Sequence, residues 1–164
     1  MTSESFPLLT GLAPVMRTDV QRLILGSFPG AASLAAAQYY AHPRNQFWRL
    51  LSAVLNEDLV ALPYAARLER LMASHLGLWD VIAVCERKGS LDAAIRRARA
   101  VDFSDLQQRF PALRKIIFNG KTAGQSAPYF SDAGFSTLIL PSSSPANAQL
   151  SFEQKLVQWR ALTD

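Results

Sequence analysis

Residues 22–30 read RLILGSFPG, a short apolar run that leads into a turn of glycine, serine and proline. A continuous apolar run of this length is typical of a strand covered on both faces, as in a parallel sheet. Three further runs share this character: GLWDVIAV at 77–84, KIIFN at 115–119 and TLIL at 137–140. We therefore expect the four runs to form the strands of one buried sheet.

Helical patterns separate these strands. NQFWRLLSAVL at 45–55 places its apolar residues close to the 3.6-residue period of an amphipathic helix. Further helices are predicted at 65–74, at 90–100, at 152–162 and, capped by Ser104 and Asp105, before Pro111. Strands that alternate with helices predict an α/β fold, a three-layer α/β/α sandwich with a four-stranded, mainly parallel central sheet.

The composition, 49% hydrophobic and 18% charged, indicates one globular domain over residues 1–164. The net charge of +4 permits a polyanionic partner without requiring one. One cysteine and two histidines argue against a disulfide framework or a zinc or iron–sulfur centre, so we expect no metal and no cofactor. The polar stretch Met1–Phe6 is unlike a signal peptide, and no apolar run is long enough to span a membrane. We expect a cytoplasmic, nucleoid-associated protein of the bacterial type.

The residues that follow each strand are the candidates for a site, because ligands of open parallel sheets bind beyond the carboxyl ends of the strands. Gly26–Gly30 (GSFPG) forms a tight turn whose amides can face a ligand, although it matches no Walker, GxGxxG or GxSxG motif. Pro141–Asn147 (PSSSPAN) is a stiff loop whose hydroxyls and amides can bind phosphate. A solvated turn without a binding role would account for the sequence of either stretch equally well.

Residues 38–48 (QYYAHPRNQFW) combine two tyrosines, a histidine and an asparagine around a proline. Asn45 is placed to cap the following helix, and paired tyrosines commonly belong to a core. An aromatic ring beside an amide is also what stacking and hydrogen bonding on a nucleobase require. The basic residues at 87–88 and 96–99 fit either a solvated face or part of a phosphate-binding groove.

Taken in order, these stretches resemble the hypoxanthine-DNA (DNA-deoxyinosine) glycosylases of the uracil-DNA glycosylase superfamily. The motifs that carry the resemblance are GSFPG at 26–30, YYAHPRNQFW at 39–48, LWDV at 78–81, CERKGSLD at 85–92, FNGKTA at 118–123 and PSSSPAN at 141–147. They cover nearly the whole chain, from Leu23 to Leu150. The segment AHPRNQFW at 41–48 is also similar to the mismatch-specific uracil-DNA glycosylase branch.

The resemblance implies a four-stranded parallel sheet between helices, a monomer, and hydrolysis of the N-glycosidic bond of a deaminated base in double-stranded DNA. The first motif of the superfamily usually carries Asp or Asn where this chain has Phe28. In the hypoxanthine branch that catalytic role is assigned to the asparagine that is Asn45 here. The second motif usually begins with His, and this chain has Ser142 or Ser143 at that place, which argues against strong uracil activity.

We therefore expect a monofunctional glycosylase of base excision repair, without a lyase step. Its expected catalytic residues are Asn45, which orients the water, and Ser27 and Phe28, whose backbone N–H groups stabilise the leaving base. The expected base-binding residues are Phe28, Tyr40, Asp80 and Asn119. The expected DNA-binding residues are Arg44, Arg87, Lys88, Ser142, Ser143, Ser144 and Asn147. We expect the last loop, continuing to Gln149 and Leu150, to enter the duplex.

Three alternatives remain open at this level. The chain could be a uracil or thymine mismatch glycosylase of the same superfamily, as the segment 41–48 suggests. It could be a non-catalytic nucleic-acid-binding module of this fold, which the apolar Phe28 favours. An unrelated hydrolase that uses Ser142–Ser144 lacks the motif that would present its nucleophile.

Overall fold

The computed structural model describes residues 7–164; residues 1–6, on which the expectation of no signal peptide rests, lie outside them. The strands are β1 (Leu8–Thr10), β2 (Arg22–Gly26), β3 (Leu76–Asp80), β4 (Ile82–Glu86), β5 (Arg96–Ala100), β6 (Lys115–Asn119) and β7 (Ser136–Leu140). The α-helices are α1 (Ala31–Ala36), α2 (Phe47–Leu55), α3 (Tyr64–Ala73), α4 (Leu106–Arg109), α5 (Lys121–Gly124), α6 (Ala127–Asp132) and α7 (Phe152–Trp159). Short 3₁₀ turns lie at Asp92–Ala94 and Arg160–Thr163.

The predicted parallel sheet is confirmed, with four strands in the order β3-β2-β6-β7. All neighbours in it are parallel, and Gly26 pairs with Asp80 while Asn119 pairs with Leu140. This register aligns the carboxyl ends of the four strands along one edge. The loops that follow the strands are therefore brought together there.

Separate layers of helices cover the two faces of this sheet. Ile24 of β2 belongs to one core with Phe47 of α2 and Trp159 of α7. Its neighbour Leu23 belongs to a second core with Phe130 of α6, because successive strand residues point to opposite faces. Burying each such side chain contributes about 1.5–3 kcal/mol. The expected three-layer sandwich is confirmed.

The prediction of one strand over 77–84 is wrong, because the chain changes sheets at Val81. β3 ends at Asp80, and β4 begins at Ile82 in a second, antiparallel sheet of order β1-β4-β5. The N–H groups of Val81 and Ile82 donate to the carbonyls of Gly26 and Ser27, at 2.9 and 3.1 Å. The second sheet therefore starts at the end of β2, beside the aligned strand ends.

The helix predicted at 90–100 is also wrong. That segment contains a 3₁₀ turn and then strand β5, every residue of which is exposed. An exposed segment buries no apolar stripe that would stabilise a helix, whereas pairing with β4 satisfies its backbone groups.

The other predicted helices are confirmed, with small changes at their ends. α2 begins at Phe47, two residues later than predicted, and α7 is followed by the 3₁₀ turn. Ser151 and Gln154 form a reciprocal capping box at the start of α7. None of the helices in residues 7–164 is long and apolar enough to cross a lipid bilayer.

Candidate active site

A cleft of about 600 Å³ opens at the carboxyl ends of the parallel strands. It brings together most of the predicted site residues: Ser27, Phe28, Tyr40, Asn45, Asp80, Asn119, Ser142, Ser143, Ser144 and Asn147. Gln149 and Leu150 also line it, whereas Arg44, Arg87 and Lys88 lie outside the lining. Five stretches distant in sequence thus share one concave surface, which is the usual form of a ligand site.

Two buried polar atoms without partners lie in this cleft. Oδ2 of Asp80 and the hydroxyl of Tyr40 are both buried, and neither has a hydrogen-bond partner among the described residues. A Cβ atom on Gly26 would lie 2.5 Å from Oδ1 of Asp80 and 3.2 Å from the Tyr40 hydroxyl. Glycine at the end of β2 is therefore what allows both groups to approach this point, which we call the cleft floor (Gly26, Tyr40 and Asp80).

Burial changes the protonation of both groups on the floor. Asp80 is 5% exposed, and this burial, with a smaller effect of the charge of Asp92, raises the pKa of its carboxyl to about 7. Burial, reinforced by the charge of Asp80 and opposed by the amide of Asn119, raises the pKa of the Tyr40 hydroxyl above its ordinary value. At neutral pH Tyr40 is therefore a hydrogen-bond donor, whereas Asp80 is present in both its ionised and neutral forms.

The two adjacent tyrosines, of which only Tyr40 was predicted to bind the base, differ in role. The hydroxyl of Tyr39 donates to the carbonyl of Ala13 at 2.9 Å, and the residue is buried, so Tyr39 belongs to the core. Tyr40 adopts a positive φ of 58° and stacks on Phe47, with ring centroids 4.0 Å apart. Because α2 holds Phe47, the stack fixes the Tyr40 ring at the floor of the cleft.

Asn45 has one half of its side chain engaged. Its Oδ1 accepts from the N–H of Phe47 at 3.0 Å, close to the predicted capping role, although Gln46 is the residue that precedes α2. Its Nδ2 donates to no group in the part of the chain described. This bond fixes the orientation of the amide and leaves its NH₂ group available to the cleft.

Asn119 and Ser143 are hydrogen-bonded to each other. Nδ2 of Asn119 donates to Oγ of Ser143, and Oδ1 of Asn119 accepts from the Ser143 N–H, both at 2.9 Å. Ser143 is fully buried. The pair joins the end of β6 to the loop 141–147, and its polar atoms face each other rather than open space.

Further bonds from neighbouring elements brace this loop. The N–H of Gln46 donates to the carbonyl of Ser143, and Nζ of the buried Lys155 donates to Oε1 of Gln46 at 2.9 Å. Nε1 of Trp159 donates to the carbonyl of Pro141. Gln46 and Lys155 were missed from the sequence, since a lysine on an amphipathic helix is ordinarily on its solvated face.

The exposed part of the loop folds back on itself. Oγ of Ser142 accepts from the N–H of Ser144, and the Asn147 side chain donates to the carbonyl of Ser142. Ser142, Ser144 and Asn147 are each partly exposed, so their remaining hydrogen-bonding capacity faces the cleft and solvent.

The loop between β4 and β5 packs against the GSFPG turn. Nη2 and Nε of Arg87 donate to the carbonyls of Pro29 and Gly89, and its guanidinium lies over the Phe28 ring, 5.3 Å from the centroid. Arg87 and Phe28 are 5% and 6% exposed. Oγ of Ser27 donates to Asp92 at 2.7 Å. Arg87 is thus turned into the protein, and Asp92 is a site residue that the sequence reasoning missed.

The remaining predicted residues lie at the surface. Arg44 and Lys88 are exposed, and the N–H of Arg44 donates to Nδ1 of His42. Within residues 7–164, no three His, Cys, Asp or Glu side chains are grouped so that they could hold a metal ion. Ser27 and Phe28 line the cleft, and their backbone N–H groups donate to no described residue.

A polar cleft at the carboxyl ends of a four-stranded parallel sheet is the arrangement that the motifs implied, and comparison with known proteins identifies the class. Residues 13–163 match the model of the uracil DNA glycosylase superfamily. The chain belongs to this superfamily, and the resemblance stated from its motifs is confirmed.

The chain's similarity to particular relatives is closer still. It is 43% identical over 137 residues to a hypoxanthine DNA glycosylase of Methanosarcina barkeri, covering 84% of this chain and 87% of that protein. It is 39% identical over 152 residues to a hypoxanthine DNA glycosylase of Methanosarcina acetivorans, covering 93% and 96%. A solution NMR structure from M. acetivorans, of a candidate uracil DNA glycosylase, superimposes with a TM-score of 0.85 at 37% identity and covers 96% of this chain and 100% of that one.

Proposed function

We propose that this protein is a monofunctional DNA glycosylase that removes hypoxanthine from deoxyinosine in duplex DNA. The relatives named hypoxanthine DNA glycosylase support this substrate. The observation that carries the proposal is the cleft floor, where a buried carboxyl and a buried hydroxyl face a cleft without partners. Unpaired buried polar groups cost free energy, so a ligand that pairs them gains affinity and specificity.

The floor is complementary to the edge of hypoxanthine. This base has an N–H donor at N1 beside the O6 acceptor. Ionised Asp80 accepts from N1–H, and the Tyr40 hydroxyl donates to O6. Adenine offers a lone pair at N1 instead, which an ionised carboxylate repels, so the same group rejects adenine.

The chemistry is a hydrolysis in which the bond between the base nitrogen and C1′ of the sugar breaks. The electron pair leaves with the base and water attacks C1′. The water loses a proton to solvent, and the departed base takes up a proton from solvent. Asn45 orients the water through its free NH₂ group and cannot act as a base, so it contributes positioning and electrostatic stabilisation. The free N–H groups of Ser27 and Phe28 stabilise the charge that develops on the leaving base.

Residues around the opening of the cleft stabilise the DNA with its base flipped out of the duplex. Extruding a base from the duplex costs a few kcal/mol, and contacts with the backbone offset this cost. We assign phosphate contacts to Ser142, Ser144 and Asn147 on the partly exposed loop, and to the exposed Arg44 and Lys88. Burial and internal hydrogen bonds support a positioning role for Ser143, Asn119 and Arg87. Phe28, beneath Arg87, supports the turn with its ring and contacts the base edge.

An end-labelled duplex with one deoxyinosine, followed by hot alkali, tests the proposal. Alkali-dependent breakage at inosine is expected, and uracil and xanthine duplexes run beside it. Cleavage at uracil alone would move the enzyme to another branch of the superfamily, and binding of the inosine duplex without cleavage of any substrate would overturn the proposed catalysis.

Because Lys121 lines the cleft, borohydride trapping tests whether the enzyme also has a lyase step. No covalent DNA adduct is expected, and a trapped band would contradict a monofunctional mechanism.

A further inference from the structure

The antiparallel sheet begins beside the cleft, at the end of β2. We call the hairpin formed by residues 82–100 the wing. β4 starts at Ile82, bonded to the carbonyl of Ser27, and the loop that joins β4 to β5 contributes Ser90 and Asp92 to the cleft lining. Five residues of strand extend about 15 Å, so the wing is long enough to follow several phosphates of a duplex bound at the cleft.

Strand β5 of the wing has a composition that a core does not explain. Its sequence is RRARA, and all five residues are exposed. It is one of the two edge strands of its sheet, and its pairing with β4 shifts register between Arg96 and Arg99. Arg97 sits within this irregularity at a φ of 51°, a left-handed conformation that costs a non-glycine residue free energy.

The positive charge of β5 is mostly uncompensated. β1, β4 and β5 together carry three arginines and one acidic residue, Glu86. Nη1 of Arg97 lies 3.9 Å from Oε1 of Glu86, but its side chain is 82% exposed, so solvent screens that pair. Arg96 donates to the backbone carbonyls of Ala93 and Ile95. The side chain of Arg99 has no hydrogen bond or ion pair with any described residue.

We propose that β5 of the wing, through Arg97 and Arg99, binds the phosphate backbone of the duplex beside the flipped base. The proposal rests on the proposed function only in taking DNA as the ligand. Charge complementarity selects this occupant, because an exposed, acid-poor row of arginines in the hairpin whose loop lines the cleft matches a row of phosphates. Arginines on an edge strand also prevent it from pairing with a strand of another chain. If that were their only role, replacing them would have no effect on DNA binding.

The salt dependence of binding to an undamaged duplex tests this contact without requiring any chemistry. The double variant Arg97→Gly/Arg99→Gln removes two charges, and glycine accepts the left-handed backbone at position 97. Each lost phosphate contact is expected to flatten the slope of log Kd against log[salt] by about 0.9, so the double variant should lose roughly 1 to 2 units of slope. Circular dichroism and the melting temperature verify that the variant is folded.

A matched control removes the same charge from the opposite end of the molecule. Arg114 and Arg160 are exposed, and both lie near the amino ends of the strands, where Arg22 bonds the carbonyls of Thr163 and Asp164. Arg114→Gln/Arg160→Gln should keep the salt slope and the glycosylase rate of the parent protein. Equal slopes in both double variants would overturn the wing contact, even if inosine is cleaved. A flattened slope in the wing variant alone would support the contact, even if no base were released.

Discussion

Two groups of polar residues line the same cleft and differ in what they bond. One group forms the wall of the cleft, by which we mean Asn119 and the loop 141–147. There Asn119 and Ser143 are hydrogen-bonded to each other, and Gln46 and Trp159 donate further hydrogen bonds to the loop. On the floor, the hydroxyl of Tyr40 and a carboxylate oxygen of Asp80 are buried and unpaired among the residues described.

This difference separates residues that stabilise the fold from residues that recognise the substrate. A buried polar pair that is already satisfied gains little from a ligand, and breaking it destabilises the fold. A buried group left unpaired destabilises the free protein and gains from a ligand that pairs it. The floor should therefore lower the stability of the free protein and strengthen substrate binding, whereas the wall should contribute mainly to stability. Asn45 combines both kinds, since one half of its amide is bonded and the other is free.

The largest expected effect is at Asn45. Asn45→Ala should lower the single-turnover rate on inosine by about 10²–10³-fold, the scale of losing one oriented polar group in a transition state. The change also removes the acceptor for the N–H of Phe47. Asn45→Ser offers a side-chain oxygen to that N–H but lacks the NH₂ group, so it should regain stability without regaining rate. A serine variant that cleaves inosine as fast as the parent protein would make Asn45 a purely structural residue.

Asp80 is expected to give a smaller loss of rate and a gain of stability. Asp80→Asn replaces a charged acceptor by a neutral one, so cleavage at pH 8 should fall about tenfold. The pKa of about 7 predicts that kcat/KM of the parent rises through that pH as the carboxylate forms, and the variant should lack this inflection. Besides burial, the charge of Asp92 raises the pKa of this carboxyl, and the carboxylate in turn raises the pKa values of Tyr39 and Tyr40.

The stability of Asp80→Asn gives an independent readout with a defined sign. Because folding raises the pKa of Asp80, the folded state binds the proton more tightly than the unfolded chain. The parent should lose about 1.4 kcal/mol of stability per pH unit between roughly pH 4 and pH 7, and the variant should escape this loss. Urea unfolding at pH 5 and pH 8 measures it. A variant less stable than the parent at pH 8 would show that the carboxylate is satisfied in the free protein.

The sequence was sufficient for the sheet and for most of the cleft, because both depend on local signals. Four apolar runs and the polar residues at their ends were enough to place Asp80, Asn119 and Ser142 at one edge, whereas the role of Asn45 came from the resemblance of its motif to a known family. The wing was missed because SLDAAIRRARA at 90–100 has helical composition, and only pairing with β4 makes it a strand. Whether a polar residue is satisfied, as Ser143 is and Asp80 is not, depends on partners distant in sequence and has no local signature.

The smallest expected effect on rate is at Ser143, where the wall predicts a loss of stability instead. Ser143→Ala leaves Nδ2 of Asn119 buried without an acceptor, which should cost about 1–3 kcal/mol and lower the melting temperature by roughly 3–10 °C. Below the transition, the inosine rate should change by no more than about threefold, because Oδ1 of Asn119 still accepts from the backbone N–H at position 143. Ser144→Ala is the matched control, since its partly exposed hydroxyl accepts only from the N–H of Ala146. It should leave the melting temperature unchanged and weaken DNA binding. If Ser143→Ala abolished cleavage without lowering the melting temperature, Ser143 would contact the substrate, and the distinction between wall and floor would be lost.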